Sequence, residues 1–460
     1  MKNVKTKTSL AEGPIFVRMI LFTLPIILTG LLQVMYNMAD NIVVGRFSGD
    51  ELALAAVGST SSLTTLIVNF LSGLATGAGV VIAQAYGARD TQRTSRSIHT
   101  AVVFSVVSGV AFAMLSFALA SPALQLMKTK EEVFSRALSY FRIICIGIPA
   151  STVYNFGNAA LRSVGNSKTP LYILSMSGIM NVVLNLFFVI VCGMAVEGVA
   201  IATVISQYAS AVAVLTVLFR SKDETVRLDR RKLMMDRGSL TRILRFGLPA
   251  GIQGSLFSIS NIMLTSAVNT LPTVDVSAKT IAFNIDGLVY TATNSYLHST
   301  MTFVGQNYGA KKPERIKKSI LYALLQVTVL GIALSQLIIY FAPEVVSLYI
   351  DPTDPNAAAV SASAVNLMHF ILSIYFMCGI METLSGALRG LGNSVAPMVI
   401  SIIGTCVMRV VWIYIFFPME SFNSLVGLYY CYPISYVFTI VALVTTLIVT
   451  GKSLKKRLGS

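Results

Sequence analysis

The chain has 460 residues, of which 55% are hydrophobic and only 12% charged, about half the ~25% charged share of a soluble domain. With a mean hydropathy of +0.73, it has too few charges to clothe the two or three domains a soluble chain of this length would form. A soluble enzyme, a nucleic-acid binder and a secreted disulfide scaffold are all poor fits, and the composition points to an all-α membrane protein.

In chain order, apolar runs separated by short polar breaks predict spans at 15–46, 52–86, 98–120, 134–158, 169–193 and 196–219. After a charged stretch they resume at 241–271, 276–308, 316–342, 360–388, 395–418 and 423–450, making twelve. The runs lack both the polar face of soluble helices and the two-residue alternation of a membrane barrel. The first run is too long for a signal peptide and has no cleavage pattern. With the N-terminus inside, Arg46, Lys128, Lys130, Arg136 and Lys279 fall outside, and Arg142 and Arg409 fall within spans. The rest of the 35 lysines and arginines lie in inner loops and tails. That bias predicts cytoplasmic termini and explains the net charge of +15 without a nucleic-acid partner. Cys145, Cys192, Cys378, Cys406 and Cys431 lie in apolar runs without metal-type spacing and read as small buried hydrophobes.

The longest polar insert divides the chain into an N-lobe (1–219, spans 1–6), a cytoplasmic linker (220–240) and a C-lobe (241–460, spans 7–12). The halves repeat each other: TLPIILTGLLQ (23–33) matches FGLPAGIQGSL (246–256), AQAYGA (83–88) matches GQNYGA (305–310), and ALRSVGNS (160–167) matches ALRGLGNS (387–394). Six spans per half make the repeats parallel, a transporter architecture with the substrate path between two lobes.

These strings, with YNMADNIVVGRF (36–47) and LAAVG (54–58), resemble the multidrug and toxic compound extrusion (MATE) family over essentially the whole chain. The seventh span, GLPAGIQGSLFSISN, lacks the acidic residue of the NorM-like branch, so the resemblance is to the DinF-like bacterial branch. It implies two pseudo-twofold-related six-helix lobes and a secondary active exporter of the bacterial inner membrane. Such an exporter is monomeric, contacts membrane lipids, and exchanges drugs, mainly small organic cations, for H+ or Na+ without a cofactor.

Three acids lie inside spans: Asp40, Asp286 and Glu382. A carboxylate there marks an ion or substrate path. Gln33, Tyr36, Asn37 and Asp40 share one helix face, as do Ser177, Asn181 and Asn185 in the fifth span and Thr203 and Gln207 in the sixth. These three faces are expected to converge in a first-lobe cavity. The family resemblance implies a cation site at Asp40, Asn181, Asn185 and Thr203, with the Val199 carbonyl nearby. Asn185 stands where sodium-binding members commonly carry Asp, and one less negative charge favours a proton. A proton and a cationic substrate would then compete for Asp40, with Pro25 as a hinge in the first helix.

In the C-lobe, Gln253, Asp286, Tyr290, Asn294, Tyr375 and Glu382 are candidate cavity residues. Arg409 joins them and is expected to pair with Glu382 or Asp286, since an unpaired buried charge is strongly destabilising. Arg142 is read as snorkelling to the outer interface. Gln84, Gln306, Arg162 and Arg389 are read as structural residues of inner helix ends and turns. His99, His298 and His369 are isolated, which leaves no metal site; His298, one turn beyond Asn294, is the one histidine placed to sense pH. The rival readings are a lipid or lipid-linked oligosaccharide flippase of the same superfamily, which would want more cationic residues in its spans, and an intramembrane enzyme, for which no catalytic motif is present.

Overall fold

The structure, a computed structural model, describes residues 9–47, 50, 52–350 and 355–458. Among these the regular elements are all helical. The first six long helices are α1 (Ile15–Phe47), α2 (Ala53–Gly87), α3 (Thr91–Leu126), α4 (Glu131–Ser163), α5 (Lys168–Leu186) and α6 (Val196–Phe219). The second set runs α7 (Arg237–Val268), α8 (Thr273–Gly309), α9 (Pro313–Tyr340), the short α10 (Ala342–Ser347), α11 (Ala357–Ile374) and α12 (Phe376–Gly390). It ends with α13 (Val395–Ser401), α14 (Met408–Val411), α15 (Leu425–Tyr429) and α16 (Cys431–Leu458).

Ten helical stretches among the described residues are long and apolar enough to cross a membrane. The other two expected spans are α7 and α8, at 32 and 37 residues the right length but diluted by polar side chains. The tenth span is broken at Tyr375, between α11 and α12, and the eleventh alternates α-helical with π-helical turns at Ile402–Val407 and Trp412–Phe416. Large apolar side chains face outward throughout, with Met114 70%, Met176 72% and Val212 62% exposed. A soluble monomer does not leave so much apolar surface in water. This is a multi-pass membrane protein.

Packing divides the chain differently from the span count. One compact unit comprises residues 1–12 and Leu24–Ser255, the other Gly13–Thr23 and Leu256–Ser460. The changeovers fall inside helices: beside Pro25 in α1, and six residues beyond Pro249 in α7. Within the first unit, Gly73 and Gly77 of α2 meet the backbone of α7 at Gly251 and Gly247, and an added Cβ would collide there. Four-residue glycine spacing on both helices permits this backbone-to-backbone approach. Within the second unit, residues 13–23 are held by Arg315 Nη1 donating to the Gly13 carbonyl (3.1 Å), Gln326 Nε2 donating to the Phe16 carbonyl (2.9 Å) and Thr23 Oγ1 donating to Ser299 Oγ (2.7 Å).

The polar insert after α6 is not a loose tether. Val226 and Leu228 are buried in the first unit's core, and His99 Nε2 of α3 accepts from the Asp229 backbone N–H at 2.9 Å. Asp236 caps α7, accepting from Ser239 N at 2.7 Å. Four cysteines are buried as expected, but Cys192 is exposed, because it follows the π-helical turn Phe187–Val191 where α5 ends.

Candidate ion-coupling and substrate site

Tyr36 brings α1 onto α5. Its ring sits over Gly178, where any Cβ would strike it, and its hydroxyl donates to the Ser175 carbonyl at 3.2 Å. One turn further along α1, Asp40 then faces the end of α5. Asn185 Nδ2 donates to Asp40 Oδ1 at 2.5 Å and to Asn181 Oδ1 at 3.3 Å, while Asn181 Nδ2 donates to Thr203 Oγ1 at 3.4 Å. Asp40, Asn181, Asn185 and Thr203 therefore form one connected polar cluster across α1, α5 and α6. Val199 lies one turn before Thr203 and is 1% exposed, closing the cluster on its apolar side.

The Asn185 side-chain oxygen is buried and has no hydrogen-bond partner among the described residues. The amide nitrogen of Asn185, not this oxygen, faces Asp40 and Asn181, and the Asp40 carboxylate is the one formal charge among the four residues of the cluster. Among the described residues no group of three His, Cys, Asp or Glu is arranged to hold a metal.

The other expected first-lobe residues stand apart from this cluster. Gln33 and Asn37 are exposed and face each other, Gln33 Nε2 to Asn37 Oδ1 at 3.5 Å. The Ser177 hydroxyl turns back to the Leu174 carbonyl of its own helix. Gln207 closes a cavity of about 20 Å³ with Thr64, Ser151 and Asn155, room for a single water. Gln253, expected in the C-lobe, is buried in the first unit because α7 belongs there as far as Ser255. One residue the sequence reading missed is Tyr140 of α4, which packs against the apolar cluster that contains Val43, Val44 and Val199.

In the second unit, Asp286 and Tyr375 are both buried, and Asp286 Oδ1 has no hydrogen-bond partner among the described residues. Tyr290 follows one turn after Asp286 and is 39% exposed, so its ring faces an opening; Asn294 lies a further turn along, half-buried. The expected ion pair of Arg409 is absent. Arg409 forms no salt bridge among the described residues; Nη1 donates to Asn261 Oδ1 at 3.1 Å and the guanidinium lies 4.2 Å from the Tyr432 ring centroid. An amide and a π face replace the carboxylate, which leaves Glu382 to interact with Arg389, two turns along α12. Arg389, read from sequence as a turn residue, is buried at 6% exposure. Arg142 is exposed, its guanidinium 5.2 Å from the Phe117 ring centroid.

Long apolar helices around a half-buried single-charge cluster define a membrane transporter rather than a packed soluble bundle. The MatE family model matches residues 25–187 and 249–415, and the chain belongs to that family. It is 31% identical over 393 residues to the probable multidrug resistance protein YoeA of Bacillus subtilis (strain 168), covering 84% of this chain and 83% of that one. It is 27% identical over 397 residues to a probable multidrug resistance protein NorM of Thermotoga maritima, covering 84% and 82%. An outward-facing multidrug resistance MATE family transporter of the MOP superfamily superposes with a TM-score of 0.89 at 25% identity, over 99% of this chain and 100% of that chain.

Proposed function

We propose that this protein is a secondary active multidrug exporter of the bacterial cell membrane, with both termini cytoplasmic, exchanging organic cations for protons by alternating access. The observation that carries the reading is the Asp40 carboxylate bonded to Asn185, which Asn181 links on to Thr203. A lone carboxylate held away from bulk water is stabilised by whichever cation reaches it. Proton and cationic drug then exclude one another: loading from outside neutralises Asp40 and releases cargo, and return to the inside exchanges the proton for cytoplasmic drug. Asn185, an amide where a second carboxylate would strengthen sodium binding, favours the proton. Pro25 has no N–H to give to the preceding turn and lies where α1 passes from one compact unit to the other, which supports its role as a hinge. The names of the relatives, multidrug resistance proteins, support the cargo class. A lipid-flippase reading gains nothing from Arg409, already engaged by Asn261 and Tyr432.

The deciding experiment is efflux of a fluorescent organic cation in proteoliposomes under separately imposed pH and sodium gradients. Proton-driven, saturable accumulation is expected. Flux indifferent to both gradients, or scrambling of labelled lipid without cation transport, overturns the proposal.

A further inference from the structure

A cavity of about 420 Å³ opens where α4 and α6 end beside the linker, away from the Asp40 cluster. Its size is that of a small-molecule site. Leu161, Val164, Val217 and Val226 supply apolar walls, and Arg220 and Asp223 supply one charge of each sign. The linker builds the pocket by folding back. Leu228 N donates to the Leu218 carbonyl at 3.1 Å, and Val226 and Leu228 sink into the core. Asp223 is fixed in place, accepting from Thr225 N at 2.9 Å and from the Tyr86 hydroxyl at 3.4 Å. A carboxylate offers about four acceptor positions, so these bonds leave it room for another donor. Arg220, at the end of α6, is exposed and forms no salt bridge among the described residues, with Asp223 or any other acid.

Two opposite charges in one cavity, not paired with each other, are complementary to a zwitterion. The mouth of the pocket says where that zwitterion comes from. Tyr208 (44% exposed), Val212 (62% exposed), Thr216 and Arg220 recur at four-residue spacing and share one face of α6. The Thr216 hydroxyl is turned back to the Val212 carbonyl, which keeps that face apolar. Because the α6 span ends at Phe219, the stripe lies against acyl chains and Arg220 stands at the membrane–water boundary. We propose that this pocket holds the headgroup of an aminophospholipid from the adjoining leaflet, its phosphate on Arg220, its ammonium on Asp223 and its chains along the α6 stripe. The lipid is a bound partner of the linker and not cargo, since neither Asp40 nor the second-unit acids line the pocket.

The test is native mass spectrometry of the full chain titrated with phosphatidylethanolamine, phosphatidylglycerol and water-soluble phosphoethanolamine. The native protein should retain phosphatidylethanolamine about tenfold more strongly than phosphatidylglycerol, the scale of one charge-assisted contact. Asp223→Asn keeps one of the two acceptor oxygens that Tyr86 and Thr225 N use and should abolish that preference; Arg220→Gln should weaken both lipids. Thr216→Trp fills the cavity without touching the linker's bonds and should lose both, so the comparison survives if Asp223→Asn fails to fold. Lys222→Gln, outside the pocket, should change nothing. Equal retention of the two lipids by the native chain, an unchanged preference in both Asp223→Asn and Thr216→Trp, or competition by phosphoethanolamine as strong as by the lipid overturns the assignment.

Discussion

Replacing Asp40 by asparagine isolates its charge from its shape. The carboxylate accepts a hydrogen bond from Asn185 Nδ2. An asparagine oxygen still accepts there. A bond to a charged group contributes about 1.5–3 kcal/mol against about 1 kcal/mol for a neutral one, so the substitution loses roughly 0.5–2 kcal/mol. Holding a half-buried carboxylate partly away from water carries a cost of its own, which the amide avoids. The two effects oppose each other, and the melting temperature should move by only about 5 °C or less. Ion-driven accumulation in proteoliposomes should nevertheless fall to the passive leak. An Asp40→Asn protein that transports at the native rate refutes the coupling role. One that no longer folds assigns the carboxylate to structure instead.

Asn185→Asp adds a second negative charge beside the first. At ~4 Å and an effective dielectric of ~20, each charge attracts a bound cation by about 4 kcal/mol before desolvation, so a sodium gradient should drive efflux in this variant more strongly than in the native protein. Gly178→Val should push the Tyr36 ring off α5 and reduce transport at unchanged expression, and Tyr36→Ala in the same background should recover part of the loss. Asp236→Ala removes the cap of α7 and should destabilise its first turn by about 1 kcal/mol, read as faster amide exchange at Ser239. Its Ser239 side-chain and backbone bonds hold the Asp236 carboxyl below its ordinary value. That stabilisation is complete above the ordinary carboxylate range and disappears as pH falls through the lowered value, so native and variant exchange should converge in acid. Arg409→Ala should reduce stability, and adding Glu382→Ala should not restore it; rescue by the double change would reinstate an ion pair between them.

The hydropathy of the chain was enough to reveal where helices cross the membrane, because lipid leaves the backbone no alternative to internal hydrogen bonds. Spacing was also enough to put Asn181 and Asn185 on one face. That Asp40 meets them is an expectation of the family resemblance, and the contact that brings it about, Tyr36 packing over Gly178 between spans far apart in sequence, carries no signal in spacing. Gln33 and Asn37 share a face with Asp40 but lie two turns and one turn away, exposed. The expected Arg409 pairing is not seen because sequence weighs charges and overlooks rings and amides, and Asn261 and Tyr432 engage the guanidinium where a carboxylate is expected. Tyr140 was illegible, one tyrosine among 18 with no periodic partner. The glycine steps at 73 and 77 and at 247 and 251 carry a readable signal, but its meaning for the unit boundary emerges only once α2 and α7 touch.

That boundary bears on what half of the chain can do alone. Since α1 and α7 each contribute to both compact units, neither six-span half holds all the pieces of one body. Expressing residues 1–219 alone should therefore yield an incomplete fold, with the glycine notch of α2 left uncovered where α7 would lie.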